Sequence, residues 1–269
     1  MDQKISPVLP ISAMPDVQGS IDQRNIAIHR VGIKSLKYPI IFAGQPSVAE
    51  FAMAVALPAS QKGTHMSRFT ALLEAHHSSL DLPAFANMHA EMLQRLDASE
   101  GTLTASFPLF VKKAAPVTGV SALMDYQATV TVNGTAENGE LSLRVLVPVT
   151  SLCPCSKMVS DYGAHNQRSH ITISVTNKAN KPALTPLDLI LMAEEQASSE
   201  LYGLLKRADE KFVTERAYDN PKFVEDLVRD LAAALQKKQV SGGLIRWQVE
   251  AENFESIHNH SAYAVVASA

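Results

Sequence analysis

Both cysteines of the 269-residue chain stand in one tripeptide, Cys153-Pro154-Cys155, and His165 follows ten residues after the second. Thiolate and imidazole are ligands that Zn²⁺ prefers, and Fe²⁺ or Mn²⁺ can share such mixed sites. A Cys-x-Cys pair rarely gives two ligands to one structural zinc, and no second cysteine pair is present to close a four-thiolate cage. One Cys, one His and a carboxylate, with a position left for water, would make a catalytic metal site. Two other readings stand beside it. A cysteine nucleophile with a histidine base uses the same residue types. Two small buried thiols and a surface histidine would do no chemistry at all. A bridge between Cys153 and Cys155 would strain disulfide geometry, so both are read as thiols.

Other chemistry-bearing residues are scattered. In Glu255-Ser-Ile-His258-Asn-His260 the two histidines are two apart, and in an extended segment they share one face. Glu200 lies at the margin of an expected helical stripe formed by Ala197, Leu201 and Leu204, where a carboxylate either reaches water or meets a partner such as a metal. Glu215 falls in an expected link between two helices. Arg30, Lys34, Lys37 and Arg68 could meet phosphates or form a solvated strand face. The sequence has no phosphate loop and no dinucleotide fingerprint.

Regular elements must position these groups. Strands are expected at 26–38, 48–57, 103–111 and 120–132, with helices at 67–76 and 83–96. Tyr126, Ala128, Val130 and Val132 alternate onto one face. The second half repeats this order. Leu141, Leu143, Val145, Val147 and Val149 alternate, as do Ile171, Ile173 and Val175. Thr185, Pro186 and Asp188 mark a helix start, and Asn220-Pro221 opens another. Strands at 244–249 and 262–266 close the chain. Between two strands of this half lies a long loop, 150–168, which holds the cysteines and His165. The repeated strand-strand-helix-helix-strand-strand order predicts an α+β fold with antiparallel sheets and helices on one face. The expected division is a flexible arm at 1–25, a first unit at 26–133 and a second at 134–269.

The net charge of −3 gives no electrostatic reason to expect nucleic acid or an anionic membrane as partner. No stretch approaches a membrane span and no secretory signal is visible, so the expected location is cytoplasmic, with reduced thiols.

The motifs "SLCPCSK", "YGAHNQRSH", "DEKFVTERAYDNPKFVEDLVRD" and "ESIHNHSAYA" resemble type B GTP cyclohydrolase I, a metal-dependent family of folate synthesis. "VGIKSLKYP" and "GTHMSRF" fit the same family, and the resemblance covers nearly the whole chain after the arm. Met158 and Val159 depart from it, standing where a more polar pair is expected. The resemblance implies a tunnelling fold of two units per chain and a homotetramer with sites near subunit interfaces. It implies conversion of GTP and water to 7,8-dihydroneopterin triphosphate and formate, with zinc, manganese or iron as the divalent metal. It also implies roles: Cys153, His165 and Glu200 as metal ligands, and Glu215 against the guanine edge. Glu255, His258 and His260 line the site, with His258 as the favoured proton carrier; Cys155 has no settled role. Two rivals remain: an NADPH-dependent nitrile reductase of the queuosine pathway on the same fold, and a non-catalytic metal-binding protein.

Overall fold

The computed structural model describes residues 16–268. The first run of elements is β1 (Ile28–Phe42), β2 (Gln45–Leu57), α1 (Met66–His76), α2 (Leu82–Leu96), β3 (Gly101–Ala114) and β4 (Ser121–Gly134). The second is β5 (Glu140–Leu152), α3 (Pro154–Val159), β6 (Asn166–Lys178), α4 (Pro186–Gln196), β7 (Ser199–Glu200), α5 (Arg207–Asp219), α6 (Val224–Val240), β8 (Arg246–Asn253) and β9 (Ala262–Ala267). All strands join one antiparallel sheet in the order β1-β2-β3-β4-β5-β6-β8-β9, with β7 paired to β5. The two halves meet through β4 and β5, in register from Gln127↔Leu146 to Asn133↔Glu140.

Alternation builds the core. Leu141, Leu143, Val145, Val147 and Val149 of β5 are fully buried, as are Ile171, Ile173 and Val175 of β6. Each such side chain contributes about 1.5–3 kcal/mol by leaving water. Helices cover that face: α2 brings Phe85, Met88 and Met92, and α6 brings Leu227, Leu231 and Leu235. The start of α4 is a capping box. Thr185 Oγ1 accepts from Asp188 N, and Asp188 accepts from Thr185 N.

Several expectations are corrected. The long loop at 150–168 is shorter, because β5 runs to Leu152, β6 starts at Asn166, and α3 lies between. The helix expected to carry Glu200 stops at Gln196, and Glu200 sits in the short strand β7. Leu201 and Leu204 are not a buried stripe. The expected link holding Glu215 is the helix α5. The next helix begins three residues beyond Pro221, where Asp226 accepts from Phe223 N. Of the expected flexible arm, residues 1–15 lie outside the described residues. Residues 18–22 are tied down, with Gly63 N, Lys62 N and Asp22 N donating to Gln18 O, Ser20 O and Ser60 O.

Antiparallel pairing sends the tips of four hairpins to one end of the sheet: β1–β2, β3–β4, β5–β6 and β8–β9. The β3–β4 tip is fixed from across the chain by Asp209, in the first turn of α5, which is fully buried. Its carboxylate accepts from Val117 N at 2.9 Å, Thr118 N at 2.9 Å, Thr118 Oγ1 at 2.7 Å and Lys206 N at 2.9 Å. Burial alone would raise its pKa, but these hydrogen bonds outweigh it and hold the pKa below the ordinary range. Stability from a depressed carboxylate is complete above its unfolded pKa of about 3.9 and is lost as pH falls toward the folded value. Asp209→Asn should therefore melt below the parent at pH 7, and the gap should narrow below pH of about 4. Thermal melts across pH check this; a gap that does not depend on pH would contradict it.

Candidate active site

The β5–β6 tip is organised by its own backbone. Cys153 N donates to His165 O at 3.1 Å, continuing the ladder past Leu152↔Asn166. Cys153 also caps α3: its Sγ accepts from Ser156 N at 3.4 Å, and Pro154 fills the first turn, where no N–H is needed. Ser156 Oγ donates to Cys153 O at 3.2 Å and accepts from His165 N at 3.2 Å. Cys153 and His165 are thus fixed side by side. Cys155 is exposed.

The His165 ring is oriented from behind. Its Nδ1 lies 3.0 Å from Gln167 Oε1 and 3.9 Å from Glu255 Oε2. Facing two oxygen acceptors, Nδ1 carries the proton, and Nε2 keeps its lone pair free. This is how a second partner prepares a histidine for a metal. Glu255 stands two residues past the end of β8, whose partner is β6, so adjacent hairpins supply both groups. Below them lies a buried polar pad. Asn253 Nδ2 donates to Ser151 Oγ at 3.2 Å, Ser169 Oγ donates to Asn253 Oδ1 at 2.5 Å, and Gln167 Nε2 reaches Ser151 Oγ at 3.4 Å. Phe254 N donates to Arg168 O at 3.0 Å, and the Phe254 ring meets His170 edge-on at 4.8 Å. His258 and His260 are exposed in a bend rather than an extended segment, yet their rings stack with centroids 5.1 Å apart.

Glu200 is held elsewhere. It pairs with Val149, four residues back along β5 from Cys153, or roughly 13 Å at the rise of a strand. Tyr202 OH donates to its Oε1 at 2.6 Å. Its Oε2 lies 2.9 Å from Arg216 Nε, but without the alignment of a hydrogen bond, and both atoms are buried. Glu215 is exposed on α5, paired with Lys211 one turn away. Among the described residues, no three His, Cys, Asp or Glu side chains converge to hold an ion. The structure sets Glu255 behind the His165 ring and Cys153 beside the His165 backbone, and it holds Glu200 and Glu215 apart from them. The basic candidates stand apart too. Arg30 lines a cavity of about 250 Å³ with Gly101 and Gly134, at the far end of the sheet from the hairpin tips. Lys34 and Lys37 are on the edge strand β1, and Arg68 donates to Arg95 O.

A model of the family described as type I GTP cyclohydrolase folE2 matches residues 14–264. The chain belongs to that family. It is 56% identical over 267 residues to the GTP cyclohydrolase FolE2 of Bordetella petrii, covering 97% of this chain and 98% of the relative. It is also 56% identical over 262 residues to that of Herminiimonas arsenicoxydans, covering 95% and 97%. Among solved structures, a uricase from Arthrobacter globiformis superposes with a TM-score of 0.50 at 6% identity, over 88% of this chain and 92% of that one. A uricase from Bacillus fastidious gives a TM-score of 0.50 at 10% identity, over 83% and 82%. These two likenesses show the fold alone, and it is the expected tunnelling fold. Among the described residues, no helix is long and apolar enough to cross a membrane.

Gln167, Asn253, Ser151 and Ser169 are not candidates on sequence grounds. The only signal for them is parity: in β6, Gln167 and Ser169 continue the buried alternation of Ile171 and Ile173 with polar residues. A folE2-family chain that buries such a pad needs every member paired. Asn253→Leu should leave the Ser151 and Ser169 hydroxyls short of partners and cost about 1–3 kcal/mol. Urea unfolding measures it, and an unchanged midpoint would show that the pad does not need Asn253.

Proposed function

We propose that this chain is a GTP cyclohydrolase that converts GTP and water to 7,8-dihydroneopterin triphosphate and formate, supplying folate synthesis. The observation that carries this reading is the Cys153–His165 pair, fixed by a backbone hydrogen bond with Nε2 of the imidazole left free. The family match favours it over the nitrile reductase and over a non-catalytic metal protein. Thiol, imidazole and carboxylate fit a divalent zinc, manganese or iron ion. Cys153 and His165 would hold it, joined by Glu200 once that carboxylate is released from Arg216, and a reduced cytoplasmic setting suits a free Cys153 thiol. Such an ion, when bound, lowers the pKa of water and makes a nucleophile available near neutral pH.

The chain's own residues would do the remainder. C8 of guanine leaves as formate, so each ring nitrogen released from C8 must gain a proton. His258 and His260, exposed in the bend after Glu255, would move those protons, with His258 as the favoured carrier. Glu255 and Gln167 hold the proton on Nδ1 of His165. Glu215 would accept from N1–H and the 2-amino group of guanine in place of Lys211. A homotetramer is part of this reading. Glu215, His258 and His260 are exposed on one chain, and Met158, Val159 and Tyr162 stand exposed in and after the helix that Cys153 caps, an apolar surface that a neighbouring subunit would cover.

Incubation of metal-loaded protein with GTP should release formate and, after oxidation, a fluorescent pterin. Chelation should stop turnover, and a divalent ion should restore it. Cys153→Ala should lose metal and turnover together, while Cys155→Ala keeps most of both. Full turnover by metal-free protein would overturn the metal reading, and metal loss by Cys155→Ala alone would reverse the cysteine assignment.

Adenine offers neither N1–H nor a 2-amino group, so ATP should be rejected about a hundredfold or more. Glu215→Gln replaces one acceptor oxygen with a donor. It should bind metal and melt like the parent but lose GTP turnover. Parental steady-state kinetics in that variant would show that the base is read elsewhere.

A further inference from the structure

The first half of the chain carries none of the ligand, proton-transfer or base-reading residues assigned above. Three of its groups nevertheless hold the segment that bears Glu200. Lys113, near the end of β3, places Nζ 2.7 Å from Glu194 Oε1 and 2.7 Å from Leu201 O. The same ammonium sits over the Tyr202 ring, 4.6 Å from its centroid. Tyr126 of β4 donates to the same Glu194 oxygen at 2.6 Å. Gly203 lies so close to β4 that a Cβ there would stand 2.6 Å from Leu123 O.

Residues 201–203 are therefore clamped by β3 and β4. From the clamp, Tyr202 OH reaches Glu200 Oε1 at 2.6 Å. One oxygen of Glu200 is committed to Tyr202. The other, Oε2, is buried beside Arg216 Nε with no aligned hydrogen bond. That oxygen is ion-paired with the Arg216 guanidinium, so a metal ion would take it from a partner that makes no aligned hydrogen bond to it.

We propose that Lys113 and Tyr202 are positioning residues for Glu200. Lys113 fixes the Tyr202 ring and the Leu201 carbonyl. The Tyr202 hydroxyl then fixes which carboxylate oxygen it holds and which one faces Arg216. This rests on the reading that Glu200 serves the metal site. It adds that the first unit, through Lys113, sets the geometry of a ligand in the second.

The test uses full-length protein and Mn²⁺. Tyr202→Phe removes only the donor to Glu200 and keeps the ring that Lys113 covers. Lys113→Met removes the cation at similar length, and Lys113→Arg restores it. The readouts are Mn²⁺ affinity of metal-free protein, from the EPR signal of free Mn²⁺, a thermal melt, and kcat and KM with GTP. Tyr202→Phe should melt near the parent, weaken Mn²⁺ about tenfold and lower kcat similarly, with KM for GTP unchanged. Lys113→Met should weaken both by about ten- to a hundredfold, and Lys113→Arg should recover most of the loss. Parental Mn²⁺ affinity and kcat in Tyr202→Phe would overturn the proposal, and would do so even if Lys113→Met failed to fold. Glu200→Gln in parallel separates the two layers. Parental metal affinity and turnover there would sink the role of Glu200 itself. Loss there, with none in Tyr202→Phe, would sink only the positioning.

Discussion

Everything at the β5–β6 tip follows from the pairing of those two strands. It runs in unbroken register from Glu140↔Lys178 to Leu152↔Asn166. Side-chain direction in a strand has a period of two, so one slip would exchange the buried and solvent faces. The fully buried Leu141–Val149 series forbids that slip. Once the register is set, Cys153 must arrive opposite His165, and β8 beside β6 must deliver Glu255 behind that histidine. The apolar core thus places two potential metal donors without any contact between the donors themselves.

Close to the tip the same face changes character. Toward the centre of the sheet it is Val, Ile and Leu; at Ser151, Gln167, Ser169 and Asn253 it becomes polar while remaining buried. Apolar residues there would pack but would not orient an imidazole. The amide of Gln167 does so at 3.0 Å, and it is itself anchored through Ser151 to Asn253. A fully paired buried network is rigid, and rigidity is what a ligand set needs, because small displacements cost large factors in rate.

Much of the fold is legible in the sequence. The alternation at 126–132, 141–149 and 171–175 shows which face is buried, and Thr185 with Asp188 marks the start of α4. The elements that sequence misplaces are those decided by tertiary contacts. Ala197, Leu201 and Leu204 have helical spacing, yet the segment is extended, because Ser199 pairs with Thr150 and Ser198 Oγ takes the N–H of Leu152. Glu215 reads as part of a link because residues 207–219 have no clear apolar stripe. That helix is polar almost all round, and it is held at its start by Asp209 and at its end by the bond of Lys222 N to Leu152 O. At the site, residue type identifies Cys153, His165 and Glu255. Gln167 and Asn253 escape notice because an amide in a strand looks the same whether it is solvated or buried.

The extended backbone at Glu200 has a physical meaning of its own. A chain with helical propensity is pulled straight only if its extended form is held more strongly than the helix turns it replaces. Here the holding groups come from both halves of the molecule: Thr150 and Leu152 hold residues 198–200, and Lys113 holds Leu201. Glu194 is buried and Lys113 nearly so, and breaking such a pair strands a charge in a poorly solvated place. That penalty holds Leu201 against β3 and makes the extended form the stable one. The position of Glu200 is therefore a property of the continuous sheet. The two halves of the chain do not divide the labour into an active one and an inert one. The β4–β5 pairing lets a lysine in one half fix the conformation of a carboxylate in the other.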